Sequence, residues 1–241
     1  MLVASALLGG LHVHLDRQGY YNLHEFEIEV VNRSEESGRL FVHLTSQLSE
    51  RLRKFHGQSL WTLPLEDVSK ELSQQLWIDS FKIVRVWPHR VRLKLFAGEI
   101  AFNYMKSSRR GVSQIFPVTW EGKILEPVKA QIAPLVPFVN SSDLVETRES
   151  LARTLNVLKD IPQEGMFSRN KISEIGFKKN DGFWVQLIHS DIHINLGEDQ
   201  IARKSRRLAQ VLDYVESREI DVRVIDANLS KKVLVRLRKD F

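Results

Sequence analysis

Trp77-Ile78-Asp79-Ser80-Phe81-Lys82-Ile83-Val84-Arg85-Val86-Trp87-Pro88-His89-Arg90-Val91-Arg92-Leu93-Lys94-Leu95 is the stretch that decides the fold of the first part of the chain. Val91, Leu93 and Leu95 alternate with Arg90, Arg92 and Lys94, the period-two pattern of a strand with one wet face. Phe81 and Ile83 begin the same alternation, and Arg85 interrupts it. Pro88 has no N–H to give to a ladder and so belongs in the turn between two strands. Upstream, Leu65, Val68, Leu72 and Leu76 recur at helical spacing behind Pro64, with Glu66 and Asp67 in the first turn, where the helix dipole favours acid. The spacing therefore predicts helix, strand, turn and strand in that order.

Further upstream, Phe26, Ile28 and Val30 alternate with Glu25, Glu27 and Glu29, a half-exposed strand within residues 22–32. Leu40, Leu44, Leu48, Leu52 and Phe55 predict a helix that ends near Gly57. The order becomes strand, helix, helix, strand, strand. Leu76-Trp77-Ile78 followed by Arg85-Val86-Trp87-Pro88 resembles the second half of a POTRA domain as it occurs in the bacterial FtsQ/DivIB cell-division family. Three later stretches resemble the same family in order: Trp120-Glu121-Gly122-Lys123-Ile124, Trp184-Val185-Gln186-Leu187 running to Asn195-Leu196-Gly197, and Ile220-Asp221-Val222-Arg223-Val224.

After residues 106–111 the pattern is mainly β. Residues 115–120 and 123–125 flank a Glu121-Gly122 turn, and Pro127, Pro134 and Pro137 mark a non-helical crossing. Ser141-Ser142-Asp143 offers a cap for a helix carrying Leu144, Leu151, Leu155 and Leu158 and ending before Pro162. Residues 172–178, 183–188 and 192–196 read as a three-stranded meander. Leu208, Val211, Leu212 and Val215 form a helical stripe, and strands at 221–225 and 232–237 follow. The expected class is α+β: residues 1–21 as remnant of a membrane anchor and linker, 22–100 as a POTRA-like domain, and 101–241 as a mainly antiparallel β domain with two helices. A strand running through residues 99–104 would join the two domains without a linker.

Composition narrows the chemistry. The chain has no cysteine, which excludes disulfides, thiolate zinc sites and thiol catalysis. Its 35 basic and 30 acidic residues give a formal charge of +5. The basic residues are spread along amphipathic elements, and the densest cluster, Arg203, Lys204, Arg206 and Arg207, reads as the wet side of a helix, so nucleic acid is not an expected partner. Met1 to Leu11 carries no charged side chain, but a membrane span needs roughly 20 apolar residues. The segment reads either as a buried helix or as the outer end of a transmembrane helix. His12 with His14, and His189 with His193, lack an obvious third ligand, so no metal site is expected. Glu66 with Asp67 and Asp221 with Asp226 read as element-start residues, and no nucleophile elbow, phosphate loop or dinucleotide fingerprint occurs. No catalytic residue and no cofactor are expected. Trp77, Trp120 and Trp184 read as packing residues; Trp87 is open to either core or surface.

The resemblance implies a noncatalytic divisome subunit held by one N-terminal helix in the cytoplasmic (inner) membrane, mostly periplasmic and enriched at the septum. It further implies that the POTRA unit assists recruitment, and that the β domain binds the small coiled-coil protein FtsB, with FtsL in the same complex and other divisome components around it. That complex regulates the septal peptidoglycan synthase. The physical mode is strand addition to an exposed edge. The candidate edge is Val233, Leu234, Val235, Arg236, Leu237 and Arg238, with Val224 beside it. Val233, Val235 and Leu237 share one face, and Leu234, Arg236 and Arg238 the other. Val224 departs from the family, where an aromatic is usual. The alternative is a POTRA-containing protein-transport or outer-membrane assembly factor, which predicts tandem POTRA units or a following barrel.

Overall fold

The computed structural model describes residues 14–31, 36–107, 113–139, 141–188, 190, 192–229 and 232–237. The chain divides into two compact units, Met1–Glu99 and Ile100–Phe241. In the first, β1 (Glu25–Val31), α1 (Gly38–Leu52), α2 (Leu65–Ser73), β2 (Ile78–Val86) and β3 (Arg90–Ala97) follow one another, the POTRA-like order. The sheet order is β1-β3-β2, with β3 parallel to β1 and antiparallel to β2. Parallel neighbours need a crossover, and the two helices supply it.

Register explains which side chains form the first core. Phe26 lies opposite Val91, and Leu93 lies between Ile28 and Ile83. Val91, Leu93 and Leu95 are fully buried together with Leu40, Leu48, Leu52, Val68 and Leu72 from the helices. Each such side chain contributes about 1.5–3 kcal/mol on leaving water. The wet face of the sheet is an ordered set of charges: Arg92 pairs with Glu27 at 2.9 Å and Lys94 with Glu29 at 3.5 Å, so the basic row of β3 is faced by the acidic row of β1. Those pairs are exposed and each is worth at most about 1 kcal/mol.

Arg85, the residue that interrupts the alternation in β2, lies opposite Val91 on the core side. Its stem is half-buried and its Nη2 donates to the Leu63 carbonyl at 2.9 Å, which lets a guanidinium occupy an apolar row. Leu76 departs from its sequence reading. The helix ends at Ser73, Leu76 is exposed, and Trp77 is the buried residue, 6.0 Å from Phe41.

The second unit is one eight-stranded sheet in the order β11-β10-β9-β8-β7-β6-β4-β5. Its strands are β4 (Ile100–Ser107), β5 (Ser113–Thr119), β6 (Phe138–Val139), β7 (Ile172–Lys178), β8 (Gly182–Leu187), β9 (His193–Gly197), β10 (Val222–Asp226) and β11 (Leu234–Leu237). Helix α3 (Arg148–Asp160) precedes β7, and α4 (Ile201–Ser217) crosses from β9 to its parallel neighbour β10. The core gathers Phe102, Val118, Leu155, Leu158, Phe183, Leu208 and Leu212.

Three local readings change. The strand expected to run through residues 99–104 is two strands in different sheets, β3 ending at Ala97 and β4 starting at Ile100. The cap of α3 is Thr147, not Ser141-Ser142-Asp143: its hydroxyl accepts from Ser150 N at 3.0 Å while Ser150 Oγ accepts from Thr147 N at 3.2 Å. The proline-marked crossing holds β6, two residues long, which pairs in parallel with both β4 and β7. Asn103, buried, fixes that crossing by donating its Nδ2 to Pro134 O at 2.9 Å and its backbone N–H to Pro137 O at 2.8 Å.

Candidate partner-binding edge

A row of side chains crosses the second unit in register: Phe116, Tyr104, Val139, Ile175, Val185, Ile194, Ile225 and Val235. Val139, Ile175, Val185, Ile194 and Ile225 are completely buried. Val235, at the end of the row on β11, is 37% exposed, and its neighbours Leu234 and Leu237 are 44% and 59% exposed. Strand β11 pairs with β10 on one side only, through Asp226–Leu234, Ile225–Val235, Val224–Arg236 and Val222–Leu237, with a register shift between Val222 and Val224. Among the described residues no strand lies on its other side.

The two ends of this sheet are treated differently. At β5, Ile115 bridges to Val128 and Val118 to Ile124, and the N–H groups of Leu125 and Val128 donate to Pro117 and Ile115, both at 2.8 Å. The chain thereby covers its own edge. At β11 no such segment is present among the described residues.

Below β11 lies an apolar cleft of about 390 Å³, walled by Val235 and Leu237 on the strand and by Val211, Tyr214, Val215 and Ile220 on and after α4. Val235 and Leu237 therefore share one face, and that face is turned toward α4, while Val233 is half-buried against the same core. Arg236 is exposed and lies opposite Val224, which is half-buried and paired on its other side with His193. Arg238 lies outside the described residues. Tyr214 was not singled out by the sequence reading; the signal for it was an aromatic three residues after Val211, on the flank of the α4 stripe.

The corner that aims β10 and β11 is built from Gly197, Lys204 and Asn228. Gly197 has φ +76°, and a Cβ placed there would stand 1.9 Å from Asn228 Oδ1. Lys204 is buried, donating to Leu196 O at 2.8 Å and to Asp199 at 2.7 Å. Its ammonium draws the Asp199 carboxyl below its ordinary pKa by hydrogen bond and charge. The basic cluster of α4 is thus not a uniform wet face: Arg203 and Arg206 are exposed, Arg207 is half-buried and Lys204 is structural.

Of the tryptophans assigned to packing, Trp77 is buried, whereas Trp120 and Trp184 are half-buried. Trp120 stacks beneath the Arg169 guanidinium at 4.9 Å. Trp184 lies across Gly176, where a Cβ would come within 2.3 Å of its ring, and stands 4.8 Å from the His193 ring. Burial, then the charge of Lys178, lowers the pKa of His193, against a hydrogen bond from its ring to the Asn195 side chain and the charge of Glu174. His14 contacts Gln18 at 3.1 Å, while His12 and His189 lie outside the described residues. No group of three metal-ligating side chains occurs among the described residues.

Comparison with known proteins accounts for both units. Residues 45–96 match the family described as POTRA domain, FtsQ-type, and residues 109–228 match the family described as cell division protein FtsQ/DivIB, C-terminal. The chain belongs to the FtsQ/DivIB family of cell division proteins. It is 23% identical over 191 residues to a protein named cell division protein FtsQ from a Geobacter species, covering 75% of this chain and 66% of the relative. Its identity to the FtsQ of Syntrophotalea carbinolica is 20%, and to that of Geotalea daltonii 19%, each across 75% of this chain and 64% and 66% of the relative. The matches thus span just under two thirds of these FtsQ proteins. The FtsQ/DivIB match stops at residue 228, before β11, so the edge is defined by the geometry of this chain alone.

Proposed function

We propose that the chain is a noncatalytic divisome subunit that scaffolds septal cell-wall synthesis by offering β11 to a small coiled-coil partner of the FtsB type, with an FtsL-like protein in the same complex. In this reading one N-terminal helix holds it in the cytoplasmic membrane, the two units lie in the periplasm, and the protein collects at the septum with other divisome components. No helix among the described residues is long and apolar enough to cross a membrane; the apolar stretch Met1 to Leu11 carries the anchoring part of the proposal.

The observation that carries the reading is the apolar row that ends unfinished at Val235. An added strand satisfies the outward N–H and C=O groups of residues 233–237 and continues the row, while alternate side chains enter the cleft beside Val211 and Tyr214. Main-chain bonds supply affinity and the cleft supplies register. Arg236, with Arg238 beyond the described residues, adds charge on the opposite face and selects an acidic neighbour.

The test is binding of an FtsB-type segment by calorimetry to chains carrying Leu234→Pro or Arg236→Pro, each shown by circular dichroism to remain folded. A backbone block should abolish measurable binding, whereas Arg236→Ala should cost on the order of 1 kcal/mol or less. Deletion from Lys232 onward should also abolish binding while leaving the first unit folded. Unchanged affinity in the proline variants would place the partner on another surface.

A further inference from the structure

The first unit carries a cluster of aromatic rings that its core does not use. Tyr21 sits at the centre, edge-on to Tyr20 at 5.2 Å, to Trp61 at 6.0 Å and to Trp87 at 5.8 Å, and the two indoles are 4.3 Å apart. Tyr20, Trp61 and Trp87 are 55%, 52% and 43% exposed. Three segments build the cluster and are bonded to one another. Leu60 N–H donates to Tyr21 O and Leu23 N–H to Gln58 O, both at 2.8 Å, and His24 N–H donates to His89 O at 2.9 Å. The rings are therefore held at fixed positions on a rigid platform.

Within the three segments that carry the rings, the charged side chains are all basic. Residues 17–24, 56–63 and 85–90 contain Arg17, Arg85 and Arg90, with His24, His56 and His89, and no carboxylate. Two carboxylates lie just outside these segments: Asp16, which accepts from the Ser59 hydroxyl, and Glu25, opposite Arg90 in the β1–β3 register. The Ser59–Asp16 bond also fastens the helical turn at residues 14–17 to the platform. Leu11, the end of the uncharged apolar stretch, is three residues before that turn, a span of at most about 11 Å of chain.

We propose that Tyr20, Trp61 and Trp87 dock the first unit on the headgroup layer of a membrane containing anionic lipid. Tryptophan and tyrosine favour that layer because each joins an apolar ring to a hydrogen-bonding tip, and arginines beside them are drawn to anionic headgroups. The rings supply the contact, Arg17 and Arg90 its charge preference, and the short tie to Leu11 its location; Arg85 is turned to the Leu63 carbonyl. This rests on the reading that the N-terminal stretch belongs to a membrane anchor. Docking would fix the orientation of the first unit against the bilayer in place of free pivoting on its tether.

The experiment uses the whole chain with an N-terminal hexahistidine tag, tethered to vesicles of phosphatidylethanolamine and phosphatidylglycerol containing a nickel-chelating lipid and a phosphatidylcholine brominated near the headgroup. Brominated lipid should quench part of the tryptophan emission. That loss should fall at least about threefold in the W61F/W87F double variant and persist in W120F/W184F, with melting curves confirming that both fold. Replacing phosphatidylglycerol by phosphatidylcholine should weaken it. No quenching in the unaltered chain, or equal quenching in both double variants, overturns the proposal, the first result assigning the cluster to a protein partner instead. Quenching is read while the tether holds, so it tests the docking whether or not the Met1 to Leu11 stretch belongs to an anchor.

Discussion

Replacing Gly197 by Ala perturbs the corner from which β10 and β11 are aimed, and its cost can be built up from two independent sources. At φ +76° an L side chain is strained by about 1–2 kcal/mol. The new methyl would also lie 1.9 Å from Oδ1 and 2.7 Å from Cγ of Asn228, so that side chain must leave. Its departure gives up the bond from Asn228 Nδ2 to Asp181 O at 3.4 Å, a long contact worth no more than about 1 kcal/mol. The expected loss is about 1–3 kcal/mol in the stability of the second unit. Urea titration followed through Trp184 emission and far-ultraviolet ellipticity measures it. A double-mutant cycle with Asn228→Ala separates the sources, since removing the Asn228 side chain relieves the collision and leaves the backbone strain. The double variant should then be about 1 kcal/mol less destabilised than the sum of the single changes. A cost for Gly197→Ala below about 0.5 kcal/mol, or strict additivity with Asn228→Ala, would refute the argument.

Leu93→Ala, at the centre of the first unit between Ile28 and Ile83, should lower that unit's stability by about 2–5 kcal/mol, measured as a shifted urea midpoint. Thr147→Ala removes the hydroxyl that caps α3 and should cost about 1 kcal/mol, with Thr147→Ser restoring most of it. His193 is held below its ordinary pKa, so the folded chain resists protonating it while the unfolded chain does not. The stability it contributes is whole above about pH 6.5 and declines as pH falls from there through the lowered value. Urea midpoints taken on either side of that value should show a shallower decline in His193→Gln than in the unaltered chain.

The order of elements in the first unit was legible because three of its elements show an uninterrupted period: three Glu alternating with three apolar residues in β1, helical spacing in α1, and Arg-Val-Arg-Leu-Lys-Leu in β3. Arg85 broke the period because its guanidinium finds a carbonyl at Leu63, a tertiary contact that no local pattern encodes. Leu76 was misplaced onto the helical face because the stripe continues in sequence past the residue where the helix stops. In the second unit the meander and last strands were legible, and β6 was not, since two residues between prolines carry no alternation to count. The alternation of residues 233–238 showed which side chains share a face. It could not show that the strand ends its sheet, because edge position depends on pairing among strands far apart in sequence.

In the proposed function, β11 is an edge that accepts another strand. Amide hydrogen exchange of the chain with and without an FtsB-type segment tests it most directly, because the outward N–H groups of β11 alternate with those already bonded to β10. Binding should slow exchange at alternate residues from Val233 to Leu237, with protection also rising at Val211 and Tyr214, which line the cleft below. Binding that protects another region while Val233 to Leu237 keep their free-state exchange rates would contradict it.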